Sequence, residues 1–272
     1  MISIIGCGWL GQHLAKRLLR QEDLVLGSTT RKEQLDLLNS LGVKSSILTV
    51  SESGDVSVDS DDIFLSPTLI ITLPFRRWFK DPMVYFKQIK ALVEYYCDLN
   101  TSKKWIIFTS STSIYSMTNK IVKEDDAINL VSDRQHVLYD VEQYLLSLPN
   151  VDATVLRCAG LYGYDRRIAH FLSGKVVSGR DACVNLIHID DVVGIVDLVL
   201  NQCIKNHIIN CVTNHHPTKE ELYSFHSKKD GLNAPVFQDD GSQAKYKIVS
   251  NDRLVNELQY SFQYTNLFSD YA

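Results

Sequence analysis

Apolar residues along this chain alternate between short continuous runs and a spacing of three or four. Met1 to Ile5 is one such run, after which Leu10, Leu14 and Leu18 recur on one helical face. Leu24 to Thr29 reads as a second strand, with Leu35, Leu38 and Leu41 on the helix that follows. Ser46 to Val50, Leu69 to Leu73, Trp105 to Thr109 and Ala153 to Arg157 are further β-rich runs, and Phe86, Ile89, Val93 and Tyr96 mark another helix. The stretch Ser132 to Pro149 places Val137, Leu138, Val141, Leu145 and Leu148 on the apolar side of a helix. Strands alternating with helices predict an α/β fold, a doubly wound parallel sheet with its ligand sites at the carboxyl ends of the strands. Past Arg157 the rhythm shortens to Asn185 to Ile189, Ile208 to Val212 and Tyr246 to Ser250. The expected organisation is a Rossmann domain over 1–160, with 185–200 returning to it, and a smaller, interleaved C-terminal α/β substrate lobe over 161–272.

The first strand-to-helix turn reads GCGWLG, a Gly-x-Gly-x-x-Gly loop. Gly6 permits the tight turn, Gly8 lets backbone N–H groups approach a pyrophosphate, and Gly11 allows close packing of helix on strand. With Trp9 and Leu10 between them, these residues are the candidate phosphate loop of a dinucleotide site, and Leu73 and Pro74 at the end of the fourth apolar run are candidate cofactor contacts. An NAD-selective site usually carries Asp or Glu at the end of the second strand. Here Ser28, Thr29 and Thr30 offer hydroxyls and Arg31 offers a guanidinium suited to a 2′-phosphate, so NADP is expected over NAD.

Charge and composition narrow the ligand. A formal net charge of −4 gives no overall attraction to nucleic acid or an anionic membrane, which leaves a small-molecule substrate. The six cysteines are scattered without a Cys-x-x-Cys, which argues against a zinc site and for reduced thiols in the cytoplasm. No apolar run is long enough to span a bilayer. The acidic stretch Asp55 to Asp62 reads as a solvated loop.

IIFTSSTSIYS (Ile106 to Ser116), LRCAGLYG (Leu156 to Gly163), NLIHIDDVVGIV (Asn185 to Val196) and HIINCVTN (His207 to Asn214), taken in order with the glycine loop, resemble the extended short-chain dehydrogenase/reductases, the NAD(P)-dependent epimerase/dehydratase family. The glycine spacing and ITLPFRR at the fourth strand look most like its atypical bacterial YeeZ-type branch. The resemblance implies an oxidoreductase or epimerase acting on a small polar carbonyl, alcohol or sugar, as a monomer or homodimer. It also implies that Ser111, four residues before Tyr115, orients the substrate oxygen.

The family's proton-transfer pair, Tyr-x-x-x-Lys, is absent from the whole chain. VEQYL (Val141 to Leu145) resembles the helix just after that lysine, and counting from Glu142 puts Leu138 at the lysine position and Arg134 at the tyrosine position. A gap-free count from Ser111 reaches about His136 instead. Substitute acids would be His136, Tyr115, Tyr162 or water, while Arg134, permanently charged, would stabilise an oxyanion. The alternative is a dinucleotide-binding redox sensor without turnover.

Arg76, with Arg77 beside it, and Tyr162, Arg166, Arg167 and His170 are the candidate substrate contacts, suggesting a negatively charged or polyhydroxylated ligand. His188, Asp190 and Asp191 read as architectural, with an aspartate capping the helix that begins there. Thr218 and Glu221 form a capping-box pattern, and no metal ligand set is recognisable.

Overall fold

The computed structural model describes residues 1–21, 23–75, 79–99, 103–238 and 244–269. In chain order the regular elements are β1 (Ile2–Ile5), α1 (Trp9–Leu19), β2 (Val25–Thr29), α2 (Lys32–Ser40), β3 (Lys44–Val50), β4 (Val56–Val58), β5 (Thr68–Ile71), α3 (Met83–Leu99), β6 (Lys104–Ser111), β7 (Ile121–Val122), α4 (Asp133–Leu146) and β8 (Val151–Cys158). They continue as β9 (Gly160–Tyr162), α5 (Ala169–Leu172), β10 (Val176–Val177), β11 (Leu186–His188), α6 (Ile189–Asn201), β12 (His207–Cys211), α7 (Lys219–Lys229), β13 (Val236–Phe237) and β14 (Ile248–Val249).

The main sheet has the order β12-β8-β6-β5-β1-β2-β3-β4. β1 pairs in parallel with β2 and β5, as β2 does with β3 and β5 with β6. Ile4, Ile5, Leu69, Ile70, Ile71, Ile106, Ile107 and Phe108 are all 0% exposed, so these strands are covered on both faces, which is why they read as unbroken apolar runs. The acidic stretch expected as a loop instead contributes β4, antiparallel to β3 with Leu48 opposite Val58. Its alternating Val-Ser-Val suits a half-buried edge strand, and the flanking acids keep that edge solvated.

The chain divides into two compact units. One comprises 1–114, 130–156 and 199–208; the other comprises 115–129, 157–198 and 209–272. The segment expected to return to the first unit, 185–200, therefore groups almost wholly with the second, and it is 199–208 that returns.

In the first unit, Gly27 on β2 is a packing requirement: a Cβ there would lie 2.6 Å from Cys7 Sγ and 2.8 Å from Val43 Cγ1. Burial also pushes the Cys7 thiol up to about 12, so it stays protonated and serves as a small apolar filler.

The second unit is held by three short parallel strand pairs, β9 with β11, β10 with β13 and β7 with β14. A core of Tyr162, Ile168, Val184, Leu186, Leu222, Tyr223 and Leu267 packs beneath α5 and α7. The capping box at Thr218 and Glu221 is present. The cap expected from Asp190 or Asp191 is not what starts α6: His188 Nδ1 accepts the Asp190 N–H at 3.2 Å. Asp191, fully buried, accepts instead from the Gln263 and Tyr264 N–H groups and the Tyr260 hydroxyl, pinning the C-terminal segment, and Tyr264 stacks on His188 at 3.5 Å.

Lys247, beside β14, is 6% exposed and donates to the Tyr115 carbonyl at 2.5 Å. Burial lowers its ammonium from 10.5 to about 8.

Two outcomes follow from this packing. Gly27→Ala should cost about 1–3 kcal/mol, as overpacked cores do, measured as a lower urea midpoint with an unchanged slope. Because the folded chain releases the Lys247 proton near pH 8 and the unfolded chain near pH 10.5, stability gains from this residue as pH rises between those values. Lys247→Met should therefore exceed the parent near pH 7 by at most about 3 kcal/mol, an advantage that shrinks toward pH 10.5; a pH-independent difference in urea titrations would refute this.

Candidate functional site

The glycine loop is built from beneath by β2 and from the side by the end of β5. Gly6, with φ of +95°, turns the chain out of β1. Its N–H donates to Ser28 Oγ at 3.0 Å, and the Cys7 N–H donates to the Ser28 carbonyl at 2.6 Å. Thr72 Oγ1 donates to the Gly6 carbonyl at 2.6 Å. A Cβ on Gly11 would sit 2.6 Å from that same carbonyl oxygen, so only glycine lets α1 approach so closely. Gly8 is the N-cap of α1 and no side chain caps this helix. A helix start left open in this way presents first-turn N–H groups and the positive end of the dipole to an anion. Trp9 and Leu10, both half-buried, form that first turn, with the Trp9 ring edge-on to His13 at 5.5 Å.

Next to the strand ends lies a cavity of about 280 Å³ lined by Thr30, Leu48, Thr49, Val50, Leu73, Pro74, Tyr85, Gln88 and Ile89. Three residues expected to contact a cofactor, Thr30, Leu73 and Pro74, thus share one wall system with six that the sequence did not single out. Gln88 Nε2 donates to the Val50 carbonyl at 2.9 Å and the Tyr85 hydroxyl to the Leu73 carbonyl at 2.8 Å, so α3 fixes the lips of this cavity. The signal for Gln88 was its place beside Ile89 on an already recognised amphipathic helix; a lone polar residue there has no distinguishing pattern.

The hydroxyls on β2 divide their tasks. Ser28 is buried and spent on the Gly6 N–H, so it supports the loop and is not open to a ribose. Thr29 Oγ1 accepts the Arg31 N–H at 3.2 Å. Arg31 is exposed at the start of α2 and its guanidinium donates to Gln34 Oε1 at 2.6 Å.

A second group of residues gathers at the carboxyl ends of β5 and β6. Ser132 caps α4, accepting the Gln135 N–H, and Gln135 Nε2 donates to the Ile114 carbonyl at 3.2 Å. Two turns on, Glu142 is fully buried and accepts from Ser110 Oγ at 2.5 Å. These ties put Leu138 in the core, 2% exposed. Arg134 is half-buried: its Nε donates to Ser113 Oγ at 3.0 Å and its guanidinium carbon lies 4.6 Å from the centre of the Phe75 ring. Ser111 Oγ accepts the Ser113 N–H at 3.2 Å, which leaves the hydroxyl proton able to donate. Burial pushes the Tyr85 hydroxyl well above its usual range, opposed by the charge of Arg134. His136 is exposed in the first turn of α4.

The remaining predicted residues lie in the second unit, apart from Arg76, which with Arg77 falls outside the described residues. Tyr115 is 3% exposed, with its hydroxyl held by Arg157 Nη1 at 2.7 Å and donating to Asn210 Oδ1 at 2.8 Å. Burial outweighs the neighbouring Arg157 and raises its pKa, so Tyr115 is a structural tie and a poor proton donor at neutral pH. Tyr162 is equally buried, edge-on to His188 at 5.1 Å. Arg167 is ion-paired with Asp230 at 2.5 Å, a carboxylate 2% exposed, so its guanidinium anchors α5 to the end of α7. Arg166 and His170 are exposed. Among the described residues no cluster of His, Cys, Asp or Glu could hold a metal ion, and no helix is long and apolar enough to cross a membrane.

No protein-family model matches the chain. It is 34% identical over 266 residues to the protein YeeZ of Escherichia coli K12, covering 97% of this chain and 96% of that one; the YeeZ of strain O157:H7 gives the same figures. Among solved structures it resembles UDP-glucuronic acid 4-epimerase from Bacillus cereus, in complex with NAD (TM-score 0.74, 18% identity, 100% and 97% of the two chains). It also resembles the human epimerase family protein SDR39U1 with NADPH (TM-score 0.73, 16% identity, 98% and 97%). A protein of unknown function from Silicibacter pomeroyi superposes with a TM-score of 0.77 at 18% identity over 98% of this chain and 95% of that one. The chain belongs to the YeeZ family.

Proposed function

We propose that this protein binds NADP(H) and transfers a hydride to or from a small polar carbonyl, alcohol or sugar, without the usual tyrosine–lysine pair. The observation that carries the reading is the alignment of two features at the strand ends of one unit. The uncapped start of α1 behind Gly6, Gly8 and Gly11 suits a pyrophosphate, and the cavity lined by Thr30, Leu48, Leu73 and Pro74 suits the adenosine part of the same dinucleotide. The relatives solved with NAD and with NADPH support a dinucleotide and leave its 2′-phosphate to be argued from this chain. Arg31 argues for NADP(H): it is exposed beside Thr30, its one charge-bearing group sits on a neutral glutamine, and no aspartate or glutamate ends β2.

A bound nicotinamide supplies or accepts the hydride. The chain's own part is to hold the substrate oxygen: Ser111 donates a hydrogen bond to it, and Arg134, fixed by Ser113 and Phe75, stabilises negative charge on it. A guanidinium does not release its proton at neutral pH, so the proton on that oxygen exchanges with water. The buried Leu138, unable to lower any neighbour's pKa, favours a second reading in which the cofactor is bound and reported without turnover.

Fluorescence titration of NADPH and NADH tests the first step. NADPH should bind at least tenfold more tightly, and Arg31→Ala should remove that preference by weakening NADPH alone; equal affinities in the parent would refute the assignment. NADPH binding with no oxidation across aldehydes, ketones, quinones, 2-oxo acids and nucleotide sugars would select the non-catalytic reading.

A further inference from the structure

Helix α3 fixes one polar atom on the wall of the cavity at the strand ends. Two buried tyrosines set this helix against the sheet: the Tyr96 hydroxyl donates to the Ser66 carbonyl at 2.8 Å and the Tyr85 hydroxyl to the Leu73 carbonyl at 2.8 Å. Ile89, fully buried, follows one turn after Tyr85. Gln88 stands next to it, half-buried, and meets the end of β3. Its amide nitrogen donates to the Val50 carbonyl at 2.9 Å and to the Ser51 carbonyl at 3.4 Å. Both partners can only accept, so the nitrogen must face them and the amide cannot be turned over. Among the described residues Gln88 Oε1 accepts from no donor and is not sealed from solvent, which leaves it open to the cavity that Gln88 lines.

The other polar groups on this wall select less. Tyr85 has its hydroxyl on Leu73, and the Thr30 and Thr49 hydroxyls rotate to donate or accept as a ligand requires. No charged side chain is among the described lining residues, and Leu48, Val50, Leu73, Pro74 and Ile89 supply apolar surface. Such a wall suits a flat, neutral heterocycle, and the one group that is both fixed and unspent decides which edge of it is accepted. An oxygen that can only accept pairs with an exocyclic amino group. It repels the carbonyl oxygen of a 6-oxo purine, and both acceptors are then left without a donor. Resting on the dinucleotide reading above, we propose that Gln88 Oε1 accepts the amino group of the cofactor's adenine, so that the site selects adenine over hypoxanthine.

Fluorescence titration of the full chain with NADPH and with reduced nicotinamide hypoxanthine dinucleotide phosphate tests this, because the two differ only at the base and any contribution of Arg31 cancels. NADPH should bind at least about tenfold more tightly, the scale of an acceptor left facing an acceptor. Gln88→Met, close to glutamine in length but without its acceptor, should weaken NADPH at least about fivefold and change the hypoxanthine analogue less than about twofold. Gln88→Ala, which adds no bulk, carries the same expectation where circular dichroism shows Gln88→Met unfolded. The proposal is overturned if the parent binds the two dinucleotides equally, or if a folded variant keeps the parent's preference, as it would if Gln88 only shaped the lip. NADH and its hypoxanthine analogue are titrated alongside. Failure of all four to bind overturns the dinucleotide reading and this proposal with it, whereas binding without discrimination overturns this proposal alone.

Discussion

The buried hydrogen bond between Ser110 and Glu142 ties α4 to the central sheet of this unit. A carboxyl group with no solvent exposure needs its polar atoms satisfied, and losing the partner would leave it at a cost of about 1–3 kcal/mol. That requirement fixes where α4 lies along β6. Residues one and two helical turns toward the amino end then have their positions decided by the 3.6-residue period. Leu138 goes into the core, and Arg134 comes to the carboxyl end of the sheet beside Ser113. The identity of the residue at that place is a free choice for the sequence; the place itself is not.

The same division between scaffold and content runs through the glycine loop. Three constraints hold its backbone: the positive φ of Gly6, the close approach of Gly11 to the Gly6 carbonyl, and the Ser28 and Thr72 hydrogen bonds. None of them depends on which dinucleotide is bound. On the proposed reading, cofactor choice is left to Thr30 and Arg31 beyond the strand end, where exposure lets residues change at little cost to stability. Ser28 illustrates how the two roles are confused from sequence. It stands where a ribose contact is expected, yet one residue of strand alternation turns its side chain inward to the loop.

The strands of the first unit were legible because a sheet covered on both faces requires unbroken apolar runs, and GCGWLG was legible because its three glycines answer to sterics. The edge strand Val56–Val58 was hidden by the aspartates around it, which signal solvent whether the backbone between them pairs or not. The helix containing Arg134 was legible through Val141, Glu142 and Leu145, but the arginine's setting was not. Phe75 and Ser113 reach it from different parts of the sequence, and only the folded sheet brings them together. Tyr115 shows the opposite limit. Its place in SIY suggested chemistry, whereas Arg157 and Asn210, distant in sequence, consume its hydroxyl.

On the proposed reading, in which Arg134 stands where the tyrosine of a Tyr-x-x-x-Lys pair would be, the kind of work asked of that position changes. A tyrosine contributes by changing protonation state, and it needs a neighbouring ammonium to do so near neutral pH. Arginine does not change state, so it contributes through charge fixed in place before the substrate arrives, and such preorganised charge needs no lysine beside it. On that reading an ammonium at position 138, with no proton donor beside it to serve, would only cost desolvation, and a leucine that packs in the core is the better residue. Under the proposed function Arg134 and Leu138 are thus two parts of one arrangement, on a helix whose place along the sheet the Glu142–Ser110 hydrogen bond holds.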